Sequence, residues 1–441
     1  MKQLGLTILS EIDKAQIDDL DSVLREIGDD IQNQVHIPFG QLTLLHFASW
    51  VVFEDGAPGP QLIFESNFDG PAEGFLRQLV ERAHPGLEDI YKHCVGFPIG
   101  GSADAIYQYL WSRIVYTDTF YESCGGFTLV QVQQEQQLRE QIEAFLDTIP
   151  GEKDPAAIRR KIQGFVTNEP SLAWAREPAQ PYTLLERLRP RDGVILVGLL
   201  VGLFWPLPLG WIFGGAWAGL IVWGSWIVVL GIVLLVLLAV LRHKERTDPS
   251  ISDTPVEDAE PDAAVVEELV SRENRRPQNH LASITTVKPG RFRFVLLKVV
   301  LAAIETLGRL QYYKGSLGGI PSIHFARWAV INDGQYLLFL SNFDGSWEHY
   351  LGEFIDQAAG GLTAVWSNSV NFPRSRFLVK DGATDEQRFK FYGRMAQLYT
   401  QLWYSAYPFL SVVNVQNNAA IRAQLWGELK GAELEPWLRR F

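Results

Sequence analysis

The chain has 441 residues but only two cysteines, Cys94 and Cys124, and two methionines. So few thiols exclude a disulfide framework and leave at most one bridge, and two thiols in a reducing compartment are the simpler reading. Basic residues do not dominate. The net charge is −12, with a sequence pI near 5.2, and Lys and Arg do not cluster as phosphate neutralisation requires, so nucleic acid is not an expected partner. The start, Met1 to Ser10, is short and soon followed by acidic residues, unlike a signal peptide. No metal-spaced His/Cys/Glu cluster, glycine-rich phosphate loop or serine nucleophile elbow occurs. The most local absence is charge: no charged side chain occurs from Gly193 to Leu241.

A single membrane helix needs about 20 apolar residues, so this stretch is too long for one span and suits two. Pro206, Pro208, Gly210, Gly214 and Gly215 mark the expected turn, with Trp205, Trp211 and Trp217 around it. Arg187, Arg189 and Arg191 precede the stretch, and Arg242, Lys244 and Arg246 follow it. Positive residues at both ends place both flanks on the cytoplasmic side, which a transmembrane hairpin satisfies. The expectation is a multi-pass membrane protein with its soluble parts facing the cytoplasm and the lipid bilayer as partner.

What is abundant is repetition. His46-Phe-Ala-Ser-Trp50 returns as His324-Phe-Ala-Arg-Trp328, and Ser66-Asn-Phe-Asp-Gly70 returns unchanged as Ser341 to Gly345. The second pair is 275 positions apart, and the same offset brings Leu6 onto Leu281 and Val95 onto Val370. Length differences fall at Ala57 to Gly59 and within Lys380 to Arg388, both turn-like. Matches that keep order and register make the chain a duplicated unit.

Organisation follows as repeat 1 over 1–149, a linker over 150–192, the hairpin over 193–241, an acidic linker over 242–278, and repeat 2 over 279–441. In the first repeat, strands are expected at Leu6 to Ile12, Leu42 to Glu54, Gln61 to Phe68 and Phe127 to Val132. Helices are expected at Ile17 to Ile31, Ala72 to Ala83, Ala105 to Tyr116 and Gln136 to Leu146. The second copy predicts strands at Leu281 to Val287, Ile323 to Ile331, Tyr336 to Phe343 and Leu410 to Val415, with helices at Val295 to Leu310 and Trp347 to Ala358. A β-α-β-β-α-β order makes the fold class α+β, with two tandem ferredoxin-like repeats. The sheet of each repeat carries apolar residues on both faces: His46, Ala48, Trp50 and Val52 on one, Phe47, Val51 and Phe53 on the other. Helices cover one face only. The other is expected to pack on the duplicate copy, forming a pseudo-dimeric α+β barrel within one chain.

Candidate site residues come from the repeated motifs. Asp69 and Asp344 stand where a strand turns into a helix, so each is either a helix cap or turn residue, or a carboxylate that works on a ligand. His46 and Trp50 share a strand face by period two, as do His324 and Trp328. Each His is either a hydrogen-bonded core residue or a ligand. Ser49 in the first copy becomes Arg327 in the second, an asymmetry that specialisation of one copy or an exposed Arg explains.

Tandem units of this order resemble the dimeric α+β barrel superfamily, which includes dye-decolourising peroxidases, chlorite dismutases and antibiotic-biosynthesis monooxygenases. Asn67-Phe-Asp69-Gly70 and Asn342-Phe-Asp344-Gly345 are similar to the peroxidases' Gly-x-x-Asp-Gly signature, with Ser66 and Ser341 in place of its first glycine. The resemblance implies a cavity between the sheets, an Asp that assists peroxide cleavage, a haem cofactor and an oxidoreductase activity carried by His324, Arg327, Asp344, Asp69 and His46. The family's proximal haem histidine lies late in the second unit, where this chain has no histidine after His349. The alternative is a non-catalytic module that binds an apolar ligand or a protein at the bilayer.

Overall fold

The computed structural model describes residues 3–31, 33, 35–56, 59–177, 190–253, 263–273, 276–311, 320–429 and 431–441. Ala57, Pro58, Arg187 and Arg189, used above to place a loop and a charged flank, lie outside the described residues.

The first half runs β1 (Gln3–Glu11), α1 (Ile17–Asp29), β2 (Leu45–Phe53), β3 (Gln61–Asp69), α2 (Ala72–Tyr91), α3 (Ala103–Trp111), β4 (Thr119–Glu122) and α4 (Leu129–Leu146). Between the halves lie α5 (Pro155–Asn168), α6 (Pro190–Phe204), α7 (Pro206–Thr247) and α8 (Ala263–Glu273). The second half runs β5 (Gln278–Thr286), α9 (Arg291–Gln311), β6 (Ile323–Ile331), β7 (Tyr336–Asp344), α10 (Trp347–Trp366), β8 (Ser375–Arg376), β9 (Lys380–Asp381), α11 (Glu386–Ala396), β10 (Gln397–Leu398), β11 (Thr400–Ser405), α12 (Val412–Leu425) and α13 (Gly431–Leu438).

Besides the two-stranded pair β8-β9, two antiparallel sheets result, in the orders β1-β3-β2-β11 and β10-β5-β7-β6-β4. Each sheet is therefore closed by a strand of the other half. β11 pairs with β2, placing Trp403 opposite Ser49, while β4 pairs with β6, placing Phe120 opposite Arg327. Val51, Phe53 and Ile63 of one sheet pack on Ala282, Ile284, Ala329, Ile331, Leu338 and Leu340 of the other. Burying a side chain of this kind stabilises by about 1.5–3 kcal/mol, so this contact helps to hold the halves together. The outer faces are covered by helices: α1, α2 and α3 over the first sheet, α9, α10 and α11 over the second.

Several expectations are corrected. The strands expected at Phe127 to Val132 and Leu410 to Val415 are helix starts. Their β-branched runs outweighed a polar signal, since Thr128 and Ser411 cap α4 and α12 by accepting Gln131 N and Asn414 N. The actual fourth strands lie earlier, at Thr119–Glu122 and Thr400–Ser405. The helices opening at Ala72 and Trp347 continue past Ala83 and Ala358, where both kink without ending, 275 positions apart.

His46 does not share a face with Trp50, nor His324 with Trp328. In β2, Leu45 faces Phe68 and Phe47 faces Asn67; in β6, Ile323 faces Phe343 and Phe325 faces Asn342. Each histidine is the extra residue of a β-bulge, which breaks the period of two and re-aims it. Trp50 and Trp328 instead point into the helix-covered cores.

The stretch read as a linker after repeat 1 contributes α5, whose Ile162 and Val166 bury with Leu138 of α4, Ile421 of α12 and Trp437 of α13. The helical stretch Gly193–Thr247 is long and apolar enough to cross a membrane, with almost none of it buried. Within α7 the backbone leaves helical geometry at Gly215, whose φ is 77°, a value that favours glycine. The indoles of Trp223 and Trp226 donate to the carbonyls of Leu203 and Gly202 at 3.1 and 2.9 Å, fastening α7 to α6.

Candidate functional site

The bulged histidines and the motif aspartates meet, twice. Asp69 Oδ1 is 3.1 Å from His46 Nε2, and Asp69 Oδ2 accepts the Leu129 amide at 2.7 Å. Asp344 Oδ1 is 2.8 Å from His324 Nε2, and Asp344 Oδ2 accepts the Val412 amide at 2.7 Å. Each aspartate thus serves a helix N-terminus, but not that of the helix following it in sequence. Asp69 holds the first amide of α4, 60 residues on, and Asp344 that of α12, 68 residues on. The following helices begin without them: α2 has no side-chain cap, and α10 is capped by Ser346. Gly70 and Gly345, at φ 85° and 83°, supply the turn that frees each carboxylate to point away.

Tyr407 joins the first of these pairs to the second half, its hydroxyl 3.0 Å from His46 Nδ1. A carboxylate only accepts, so His46 Nε2 carries a proton toward Asp69. Burial, with Cys124, Asp69 and Asp344 nearby, raises the Tyr407 phenol well above its ordinary value and keeps it a donor. The caps Thr128 and Ser411 are 283 positions apart, and the same offset brings Cys124 onto Tyr407. Burial pushes that thiol up to about 11, which keeps it in the unreactive form.

A second cluster lies between the sheets, and sequence reasoning found only one of its members. Arg327 is 1% exposed. Its Nη1 donates to Leu6 O at 2.7 Å and Thr7 Oγ1 at 3.2 Å, and its Nη2 to Ser66 O at 2.9 Å and to Asn67 Oδ1. Its counter-charge is Glu65, with Nη2 to Oε1 at 3.3 Å. Glu65 also accepts from Asn67 and Asn342 at 3.0 and 3.2 Å, and its Oε2 is 2.7 Å from His280 Nε2. Burial pushes the Glu65 carboxyl up, but Arg327 and His280 outweigh it and hold it down at about 2. Burial lowers the Arg327 guanidinium, opposed by Glu65.

The cluster is asymmetric by complementary exchange. At the sequence offsets of the two matching motifs, His280 corresponds to Gly5, Arg327 to Ser49 and Glu65 to Leu340. Each large basic residue of the second half lies on the small residue of the first. A Cβ on Gly5 would sit 2.5 Å from Arg327 Nη2, and Ser49 Oγ is 3.2 Å from His280 Nε2. The signal that finds this cluster is the list of mismatches between the copies rather than of matches.

Among these residues, His280 reaches a cleft. A space of about 320 Å³ is lined by Asp29, Glu273, Arg276, Asn279, His280, Tyr399, Thr400 and Trp403, among others. His280 Nδ1 is held by Thr400 Oγ1 at 2.9 Å, and Trp403 Nε1 donates to Asn342 Oδ1 at 2.8 Å. Arg276 is exposed at the rim. His46, Asp69, His324, Asp344 and Arg327 line none of this cleft.

The histidines do not fit haem ligation. Both ring nitrogens of His46 are engaged and the residue is 0% exposed, with its ring against Phe325 and Tyr407. His324 directs Nε2 at Asp344, with its ring against Phe47 and Tyr407. No group of three or more His, Cys, Asp or Glu side chains suited to a metal ion occurs among the described residues.

No family model, curated protein or solved structure matches this chain.

Proposed function

We propose that the chain is a membrane-anchored tandem ferredoxin-like protein that works as a non-catalytic binding module, taking a small polar ligand in the cleft beside His280. In this reading α6 and α7 form a transmembrane hairpin turning near Gly215, and both repeats face the cytoplasm. The hairpin is supported by the Trp223 and Trp226 bonds to α6 and by the close approach of Gly210 to Gly219. Arg242, Lys244 and Arg246 at the end of α7 support the orientation.

The observation that carries the non-catalytic reading is the consumption of the candidate groups. Asp69 and Asp344 are engaged with helix amides and histidines, and Arg327 with backbone carbonyls and Glu65. A catalytic group must be free to meet substrate. The cleft is the better place for a ligand because it joins an exposed cation, Arg276, to His280 and Thr400 at its floor. The polar lining favours a small polar molecule over the apolar ligand that the sequence offered as an alternative, and Arg276 favours an anionic group on it.

Two measurements on the full chain in detergent test this. After expression with added haem, the purified protein is expected to show no Soret band; a stoichiometric one overturns the reading. In a thermal-shift screen of small carboxylic acids, binders are expected to stabilise the wild type but not Arg276→Ala. Equal stabilisation of both places the ligand elsewhere.

A further inference from the structure

The second repeat is clamped onto the end of the apolar helix. Glu245, in the last turn of α7, is 5% exposed, and its carboxylate accepts the amides of Phe377 and Leu378 at 3.1 and 2.8 Å. Two successive amides converging on one carboxylate make an anion nest. Arg242, one turn earlier, pairs with Glu245 and lies 4.8 Å from the Phe377 ring. Arg374 donates to Arg246 O at 2.8 Å and forks onto Asp253 at 2.5 and 2.7 Å. Arg293 of α9 donates two bonds to Asp248, the residue after α7, at 3.0 and 2.8 Å.

This clamp fixes which surface faces the membrane. Glu245 is four residues past Leu241, the last residue of the uncharged run, so along the axis the nest lies about 6 Å beyond it. The turn between β8 and β9 holds Phe377 and Leu378 at φ 51° and 69°, left-handed values that bulky residues rarely adopt. Held so, Phe377 is 48% and Val379 50% exposed. Beside Arg293, α9 exposes Val295 and Val299 at 56% and 60%, one turn apart, together with Phe294. Arg246, Arg291, Arg376 and Lys380 are exposed in the same three segments, Arg376 paired with Asp381 at 3.1 Å. Apolar residues with a cationic rim, continuous with a spanning helix, have the character of an interfacial lipid contact.

We propose that the β8–β9 turn and the exposed face of the start of α9 form a lipid-contact surface that seats the second repeat in the headgroup zone of an anionic leaflet. This rests on the membrane reading above. Phe377 and Val379 enter the acyl boundary beside α7, and the basic rim meets lipid phosphates. The strained turn serves to present the Phe377 ring downward while Glu245 holds its backbone.

The test uses full-length protein with Cys94→Ala and Cys124→Ala, reconstituted in vesicles containing anionic phosphatidylglycerol. Single cysteines replace Phe377, Leu234 within α7, or Asp104 on the first repeat, and each carries an environment-sensitive fluorophore. Lipids brominated near the headgroup are expected to quench the probe at 377, those brominated deeper to quench that at 234, and neither to quench that at 104. Quenching at 234 with none at 377 refutes the lipid-contact surface and leaves the anchor standing. No quenching at 234 defeats the membrane reading itself.

Discussion

Gly5 and Arg327 share one volume: a single methyl group on Gly5 would lie 2.5 Å from Arg327 Nη2 and 2.7 Å from the Phe120 ring. Neither neighbour gives easily, because Arg327 is fixed by two backbone carbonyls and Phe120 by the packed aromatic cluster. Gly5→Ala is therefore expected to destabilise the full chain by about 1–3 kcal/mol through overpacking. Arg327→Ala is expected to cost more alone, but the two together less than their sum, since the methyl group then has room. Thermal denaturation in detergent of the two single variants and the double variant reads this directly, and strict additivity would show that the residues do not share space.

Glu65 gives the account a pH signature. Its carboxyl is held at about 2 in the fold against an ordinary value of 4.5. A depressed carboxylate stabilises the fold above the unfolded value, and that contribution is lost as pH falls from 4.5 through about 2. The loss amounts to about 3 kcal/mol. Stability of the wild type measured across this range should fall more steeply than that of Glu65→Gln. At neutral pH the Gln variant should be the weaker by about 3–5 kcal/mol, because it leaves Arg327 buried without its counter-charge. Parallel pH profiles would remove Glu65 from the account.

The aspartates should behave as caps. Asp69→Ala removes a buried carboxylate from a helix amide and a histidine, with an expected cost of about 2–3 kcal/mol. Asp344→Ala should cost less, since that side chain is 14% exposed against 3% for Asp69, and water can replace part of the lost bonding. Hydrogen exchange should locate the damage at the starts of α4 and α12 respectively. Faster exchange confined to α2 and α10 would mean that the aspartates cap the helices that follow them in sequence.

The recurring motifs, the uncharged stretch and most strands are legible in the sequence because each is a local or periodic pattern. Both fourth strands were misplaced by the same mechanism in both copies: β-branched runs after Thr128 and Ser411 mask the caps that turn them into helices. The bulges at His46 and His324 are likewise invisible to a rule of alternation. The motif aspartates are legible, but their partners lie 60 and 68 residues on, at helix starts whose sequence reads as strand. Glu65 and His280 were missed because neither is repeated, and their contact spans 215 residues. The exchange of Ser49 for Arg327 was visible; that Gly5 and His280 form its counterpart needed the sheets to be laid face to face.

The central structural claim is that one chain supplies both sheets and closes each with a strand from its other half. Gln61 and Asn332 report on it, because their side-chain amides exchange two hydrogen bonds between the halves, at 3.2 and 3.0 Å. With the native cysteines replaced, Gln61→Cys and Asn332→Cys should be joined by a short thiol crosslinker in full-length protein. The account predicts a crosslinked product that stays at the mass of one chain on a denaturing gel, and a covalent dimer as the main product would contradict it.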